Sequence, residues 1–277
     1  KDWISTSSKF LGEKEIVGED EEPAEPAPTG FVPDFMTQSQ MFKLAGIHFG
    51  EDETYRLVVS LKNLAIKTEA GNIRFWGKIY GSERDYYIAE GTTEEEPPEE
   101  PDAKVEAHGE GANIKTYWAT NSVLGEWVKL PDVTPDFINA ARSIRKIFTG
   151  DLDRVVISNP FFFGKESHLL RAQIARISHS TTIVPFKYFK VDEENDKEIV
   201  AEDGEEFVAP TTKDLTSLNS WVHHTPGILG SGRISHLQPE VPEEFEGEPE
   251  DLLKALEKQD PYDPRLRALD RDEPVKG

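Results

Sequence analysis

Cysteine is missing altogether from the 277 residues. Disulfides, thiolate nucleophiles and Cys-ligated zinc are excluded with it. Cations are also scarce, 31 Lys and Arg against 53 Asp and Glu, which leaves a net charge of -22. Nucleic-acid binding depends on Lys and Arg neutralising phosphates, so no nucleic-acid partner is expected, and an anionic membrane surface is disfavoured on the same ground. No apolar stretch approaches the roughly 20 residues needed to span a bilayer. There is no Asn-x-Ser/Thr sequon either, and the chain reads as soluble and intracellular. It opens at Lys1 with neither Met nor a signal-peptide pattern, so the natural N-terminus is expected to lie further upstream.

The sequence motifs of catalysis are absent too. No Gly-x-Gly-x-x-Gly follows a strand pattern, no phosphate loop ends in Gly-Lys-Ser/Thr, and no Gly-x-Ser-x-Gly elbow presents a serine. The glycine cluster GILGSGR, Gly227 to Arg233, lacks the lysine and the preceding strand, and reads as a turn. His223 and His224, with His236 downstream, form the one candidate metal cluster. Adjacent helical residues point about 100° apart, and metal-binding helices space their ligands by a turn. One packed and one exposed histidine is therefore expected, and no metal. Carboxylates are too abundant for any acid–base pair to be singled out. No catalytic, cofactor-binding or metal-binding residue is assigned, and the chain is read as not an enzyme.

What is present is an ordinary apolar core diluted by acidic stretches. Hydrophobic residues make up 36% of the chain and aromatics 10%, and four Glu/Asp-rich segments interrupt them: Glu13 to Pro28, Thr92 to Asp102, Asp192 to Glu206 and Pro239 to Asp251. Such segments bury too little apolar surface to offset chain entropy and are expected as loops, linkers or tails. The resulting division is an acidic, Pro-rich segment over residues 1–36, an ordered domain over 37–236 and an acidic extension with one short helix over 237–277.

Within the ordered part, TQSQMFKLAG reads as a short helix with a Thr37–Gln40 capping box and Met41, Leu44 and Ala45 on one face. EDETYRLVVSLKNLAIK places Leu57, Val58, Leu61, Leu64 and Ala65 at helical spacing, with acids at its start and Lys62 and Lys67 near its end. NIRFWGKIYGSERDYYIAEG has the composition of a β-hairpin, Ile73, Phe75 and Ile79 facing one side and Trp76 and Tyr80 the other, so cover on both faces is expected. KTYWATN and EWVKL suggest a second hairpin.

VTPDFINAARSIRKIFTG reads as a helix capped by Thr134, with Pro135 at its first position and Gly150 just past its end. Its apolar stripe is Phe137, Ile138, Ala141, Ile144 and Phe148, with Arg142, Arg145 and Lys146 toward its C-terminal end. RVVIS reads as a strand, NPFFFG as a packed turn and TTIVPFKYF as a strand broken at Pro185; ESHLLRAQIARIS fits either a helix or a strand. DLTSLNSWVHH puts Leu215, Leu218, Trp221 and Val222 on one helical face, and EDLLKALEKQ makes a last short helix. Helices and antiparallel hairpins without a βαβ rhythm predict an α+β fold with long acidic loops.

Large amphipathic rings beside arginines are candidate partner-interface residues, because Trp, Tyr and Arg dominate binding hot spots. The set is Trp76, Tyr80, Tyr86, Tyr87, Trp118, Trp127 and Trp221, with Arg142, Arg145 and Lys146. The competing reading is that most of these rings are core.

Taken together, FWGKIYGSERDYYIAEG, WVKLPDVTPDFINAARSIRKIFTGDL, NPFFFGKESHLLRAQIARISHSTTIVP and LNSWVHHTPGILGSGR resemble the radial spokehead protein family, in its order, from about Phe42 to Arg233. The likeness is to the class of spokehead proteins four and six. Asn219–Ser220 stands where the family has Ser-Asn, Pro226–Gly227 interrupts the stretch that follows, and the family's C-terminal Trp-Pro-Gly stretch is missing. The resemblance implies a structural subunit of the radial spoke head in the ciliary or flagellar axoneme. Such a subunit pairs with a like or paralogous copy, joins other head and neck proteins, and makes transient contact with the central-pair projections, passing mechanical signals toward dynein.

Overall fold

The computed structural model describes residues 32–94, 102–191, 199–201, 208–237, 249–261 and 265–272. Most of the four acidic stretches lies outside these residues. The chain divides into two compact units, residues 1–173 and 174–277.

In the first unit, helix α1 (Phe35–Leu44) is capped by Asp34, whose carboxylate accepts from the Thr37 N–H at 3.2 Å and the Thr37 hydroxyl at 2.6 Å. The expected Thr37–Gln40 capping box therefore does not form; a carboxylate three residues earlier supplies the acceptor. The buried face is Phe35 and Ser39, while Met41, Leu44 and Ala45 are exposed. Helix α2 (Glu51–Thr68) follows its periodicity closely: Leu57, Leu61, Leu64 and Ala65 are buried and Val58 is half-buried. Glu51, Asp52 and Glu53 occupy its first turn and Lys67 its last, complementing the helix dipole. Each buried leucine contributes about 1.5–3 kcal/mol.

Strands β1 (Gly71–Ile79), β2 (Tyr86–Thr92), β3 (Thr116–Thr120) and β4 (Val128–Lys129) form one antiparallel meander in chain order, so the two expected hairpins are parts of a single sheet. β2 is buried from Tyr86 to Gly91, covered on both faces. Register shifts between Gly71 and Arg74 and between Phe75 and Gly77 break the strict alternation expected of β1. Ile73 is fully buried, Phe75 packs on Phe35 and Phe49 at 5.1 and 5.5 Å, and Ile79 is half-buried. The buried face of α2 packs against Ile73, Ala89 and Trp118 to make the core.

Helix α3 (Pro135–Ser143) starts as expected, with the Thr134 hydroxyl accepting from the Phe137 N–H and Pro135 in the first turn. It ends at Ile144, which is extended, and not at Gly150. The chain beyond is claimed by distant partners: Phe148 bridges Gly81 and accepts from the Ser82 N–H at 2.8 Å, and the Thr149 carbonyl accepts from the Glu83 and Arg84 N–H groups. Arg145 and Lys146 thus lie past the helix, and Phe148 is not part of its stripe. Gly150 has φ +96°, and a Cβ there would meet the Arg84 carbonyl at 2.4 Å.

RVVIS is not a strand. Within it Val155 makes one isolated antiparallel bridge to Lys165, Val156 is buried, and Val155 and Ile157 face solvent. In NPFFFG, Phe162 is buried against Phe137 at 5.1 Å, whereas Phe161 and Phe163 project outward. ESHLLRAQIARIS settles as helix α4 (Glu166–Thr181), with Leu169, Leu170, Ala172, Ile174 and Ala175 buried and Ile177 exposed.

In the second unit, β5 (Ile183–Pro185), β6 (Phe189–Val191), β7 (Ile199–Ala201) and β8 (Trp221–His223) form two antiparallel pairs, β5 with β8 and β6 with β7. The break at Pro185 is as expected. β7 lies inside the stretch Asp192 to Glu206 that reads as a loop; its backbone pairs antiparallel with β6, Ile199 opposite Val191 and Ala201 opposite Phe189. The helix expected over DLTSLNSWVHH is replaced by 3-10 turns at Asp214–Thr216 and Leu218–Ser220 and then by β8. Its pairing with β5, and the bonds of His223 to the Arg267 carbonyl and the Leu266 N–H, outweigh the local helical spacing. Helix α5 (Pro249–Gln259) and a 3-10 turn at Leu269–Arg271 follow. The fold is α+β.

Candidate functional site

Among the described residues no group of three or more His, Asp or Glu side chains can hold a metal. His223 and His224 are both buried, where one exposed ring was expected, because they lie at the end of a strand and not on a helix. The His223 Nε2 pairs with Asp272 at 2.9 Å, and the His224 ring meets Phe189 edge-on at 5.1 Å. In the GILGSGR turn, the Gly230 and Ser231 N–H groups donate to the Asp260 carboxylate at 2.8 and 2.9 Å. Burial would raise that carboxyl's pKa, yet these two donors hold it below its ordinary value. The turn is fastened to an internal anion.

A third arrangement has the outline of an acid–base relay. The His108 Nδ1 faces Asp132 at 3.1 Å, and its Nε2 faces the Thr93 and Thr116 hydroxyls at 3.0 and 3.1 Å. The two hydroxyls are themselves 2.5 Å apart. Their capacity is spent on each other and on the ring, and the group ties the exit of β2 and the start of β3 to the chain before α3.

Among the buried ionic side chains of the first unit, Glu166 and Arg171 gather the most distant partners, and sequence pattern singles out neither. Glu166 accepts the Tyr86 hydroxyl at 2.8 Å, the Thr149 N–H at 2.9 Å, the Gly150 N–H at 2.8 Å and the Thr149 hydroxyl at 2.9 Å. Burial pushes its pKa up, but these donors outweigh burial and hold it below the ordinary value. Tyr86 is pushed well above its ordinary value by burial and by that neighbouring carboxylate. Arg171 is 1% exposed, lies over the Tyr117 ring at 4.5 Å, and donates to the Ala112 carbonyl at 2.7 Å and Asn113 Oδ1 at 3.1 Å. Burial lowers its pKa from the ordinary guanidinium value, against the pull of Tyr117, Asp132 and Glu90.

The candidate interface residues separate by burial. Tyr86, Tyr87 and Trp118 are 0%, 9% and 3% exposed and serve the core, so a surface contact through these rings would need the fold to open. Tyr80 is exposed and, with Phe49 and Tyr87, surrounds the Lys78 ammonium at 4.6–5.8 Å. Trp76 is half-buried on β1, and Trp221 is half-buried with its Nε1 donating to the Leu215 carbonyl at 3.0 Å. Arg142 lies on α3 and bonds Asn139, while Arg145 and Lys146 are exposed beyond the helix end. The set therefore does not converge on one site.

One concave surface among the described residues lies in the first unit. A groove of about 610 Å³ runs between α2 and the loop joining β3 to β4, lined by Tyr55, Val59, Leu64, Leu124 and Trp127 over a floor that includes Trp118. Trp127 is half-buried and donates from Nε1 to the Ser60 hydroxyl at 2.8 Å, which fixes the groove wall to α2. Trp127→Phe keeps most of the ring and removes this donor. It is expected to cost about 1 kcal/mol, read as a lower urea midpoint with unchanged slope. An unchanged midpoint would show that the bond contributes nothing to holding the wall.

Comparison with known proteins supplies the family. The family model described as radial spokehead-like protein matches residues 4–105 and 95–276. The chain belongs to the radial spokehead-like family. It is 36% identical over 263 residues to human radial spoke head protein 4 homolog A, covering 79% of this chain and 37% of that protein. It is 34% identical over 260 residues to radial spoke head protein 6 homolog A of Xenopus tropicalis, covering 78% and 49%. To flagellar radial spoke protein 4 of Chlamydomonas reinhardtii it is 31% identical over 267 residues, covering 85% and 57%. The chain thus spans between about a third and a little over half of these radial spokehead relatives.

Proposed function

We propose that the chain is a structural, non-enzymatic subunit of the radial spoke head in the axoneme of a motile cilium or flagellum. The observation that carries this reading is the family match over nearly the whole chain, with relatives named as radial spoke head and flagellar radial spoke proteins. The occupied histidines and carboxylates support it, since each polar cluster described above is engaged in fastening the chain. On this reading residues 37–236 carry the spoke-head domain, and it contacts a like or paralogous subunit, other head and neck proteins and, transiently, the central-pair projections. It transmits mechanical contact between the central pair and dynein. Trp76, Tyr80, Trp127, Trp221, Arg142, Arg145 and Lys146 are the interface candidates left with surface access.

Salt extraction of axonemes followed by sedimentation tests the reading. The protein is expected in the axonemal fraction and, once extracted, in a large complex with a paralogue. Recovery as a free monomer, or absence from isolated axonemes, would instead place it among soluble binding modules outside cilia.

A further inference from the structure

The segment between α3 and α4 exposes apolar side chains that neither the core nor any polar network uses. Ile147, Val155, Ile157, Phe161 and Phe163 are 63–87% exposed. They are brought together by the backbone. Val155 bridges Lys165 in antiparallel sense, and the Val156 N–H donates to the Gly164 carbonyl at 3.3 Å. Continuing that register sets Ile157 opposite Phe163, and Phe163 packs edge-on against Phe161 at 4.6 Å. The Lys146 ammonium donates to the Ile157 carbonyl at 3.0 Å, which places Lys146 and the adjoining Ile147 beside the same ribbon. A contiguous exposed apolar patch of this kind marks an interaction surface, whereas isolated exposed apolar residues do not.

Charge selects the occupant. In a chain of net charge -22, residues 137–150 carry Arg142, Arg145 and Lys146 and no Asp or Glu. Of the neighbouring acids, Asp153 pairs with Lys165 at 2.7 Å and Glu83 with Arg154 at 3.1 Å, while Asp136 and Asp151 flank the run at its two ends. Arg145 and Lys146, both exposed, are the cationic part of the ribbon's border on an anionic protein. Complementary potentials at an interface steer association and suppress wrong partners. At Val155 and Val156 the ribbon pairs antiparallel with Lys165 and Gly164, and along such a pairing side chains recur at the two-residue period of a strand, about 6.6 Å.

We propose that this ribbon docks an acidic polypeptide segment of another protein, lying extended, with apolar side chains at alternate positions seated on Ile157 and Phe163 and its carboxylates facing Arg145 and Lys146. The assignment concerns the chain itself and does not rest on its place in the spoke head. It is tested with the purified chain and a fluorescein-labelled Glu-Ile-Glu-Phe-Glu-Ile-Glu peptide followed by fluorescence anisotropy, beside the same peptide with Lys for Glu. Wild type is expected to bind the acidic peptide, less tightly at about 300 mM than at about 50 mM salt because screening shortens the reach of the charges. Ile157→Asp with Phe163→Asp, and separately Arg145→Glu with Lys146→Glu, should each weaken binding about tenfold or more, the scale of a lost hot spot. All four positions are exposed, so thermal midpoints should stay at the wild-type value. Equal binding of both peptides, or undiminished binding by both variants, would overturn the proposal. So would sedimentation equilibrium showing a wild-type dimer that the apolar double variant abolishes, because the ribbon would then serve a second copy of this chain.

Discussion

Replacing Glu166 with Ala is expected to lower the stability of the first unit by about 3 kcal/mol, a fall of about 6–12 °C in the thermal midpoint. The reason is the number of donors that converge on one carboxylate. The Thr149 and Gly150 N–H groups and the Tyr86 hydroxyl are held within 2.8–2.9 Å of its oxygens. Removing the acceptor leaves donors in a setting where Tyr86 is fully buried, and an unmet buried donor costs more than a bond to water returns. Glu166→Gln should be nearly as damaging despite its similar volume, since its amide N–H₂ group would face other N–H donors. The effect has a pH signature. The folded-state pKa lies below the ordinary 4.5, so the carboxylate's contribution is complete above that value and is lost as pH falls through the folded pKa. The stability gap between wild type and Glu166→Gln should therefore be constant near neutrality and should narrow below about pH 4.5. A neutral-pH midpoint equal to wild type would mean that residues 148–150 are held by something else.

Arg171 gives the second large effect, and here the order of variants matters more than the size. Arg171→Ala removes a fully buried side chain from the Tyr117 ring and from the Ala112 and Asn113 acceptors, and should cost about 3–5 kcal/mol. Arg171→Met fills most of the same volume without a charge to desolvate. Burying a guanidinium is costly, and its Nη1 has no hydrogen-bond partner among the described residues, so part of that cost is uncompensated. Arg171→Met should thus lie nearer to wild type than to Arg171→Ala, measured as urea midpoints at equal slope. Asn113 explains why neither variant is expected to match wild type. It also donates to the Glu106 and Val133 carbonyls and accepts from the Val133 N–H, so the loop before α3 is organised around it. If Arg171→Met proved the worse variant, the charge rather than the packing would be the stabilising element.

These two residues also mark how far the sequence could be read. Helix α2 was legible because everything that decides it is local: an apolar stripe, acids in the first turn, a lysine in the last. The N-terminal half of α3 was legible for the same reason, with Thr134 and Pro135 setting its start. Its C-terminal half was not. Ile144 to Phe148 keeps helical spacing, but Gly81, Ser82 and Glu166 claim that stretch from far along the chain, and no window of local sequence contains them. The strand over Trp221–His223 is hidden for the same reason, since its pairing with Ile183–Pro185 lies outside any local helical count. Among the interface candidates, composition picked out large rings but could not separate Tyr86 and Trp118, which are core, from Trp127, which walls a groove. The exposed ribbon of Ile157 and Phe163 was hidden because RVVIS and NPFFFG each look like ordinary buried elements.

The span of the Glu166 contact bears on how the chain is made. Tyr86 and Glu166 are separated by 80 positions, and synthesis proceeds from the N-terminus at about 5–20 residues per second. The meander from Gly71 to Lys129 is therefore complete several seconds before its clasp exists. During that interval the Tyr86 hydroxyl does not yet have the Glu166 carboxylate to meet. Gly81 to Arg84, the backbone partners of Phe148 and Thr149, are already made by then, so Glu166 supplies the last of the contacts on residues 148–150 in the order of synthesis.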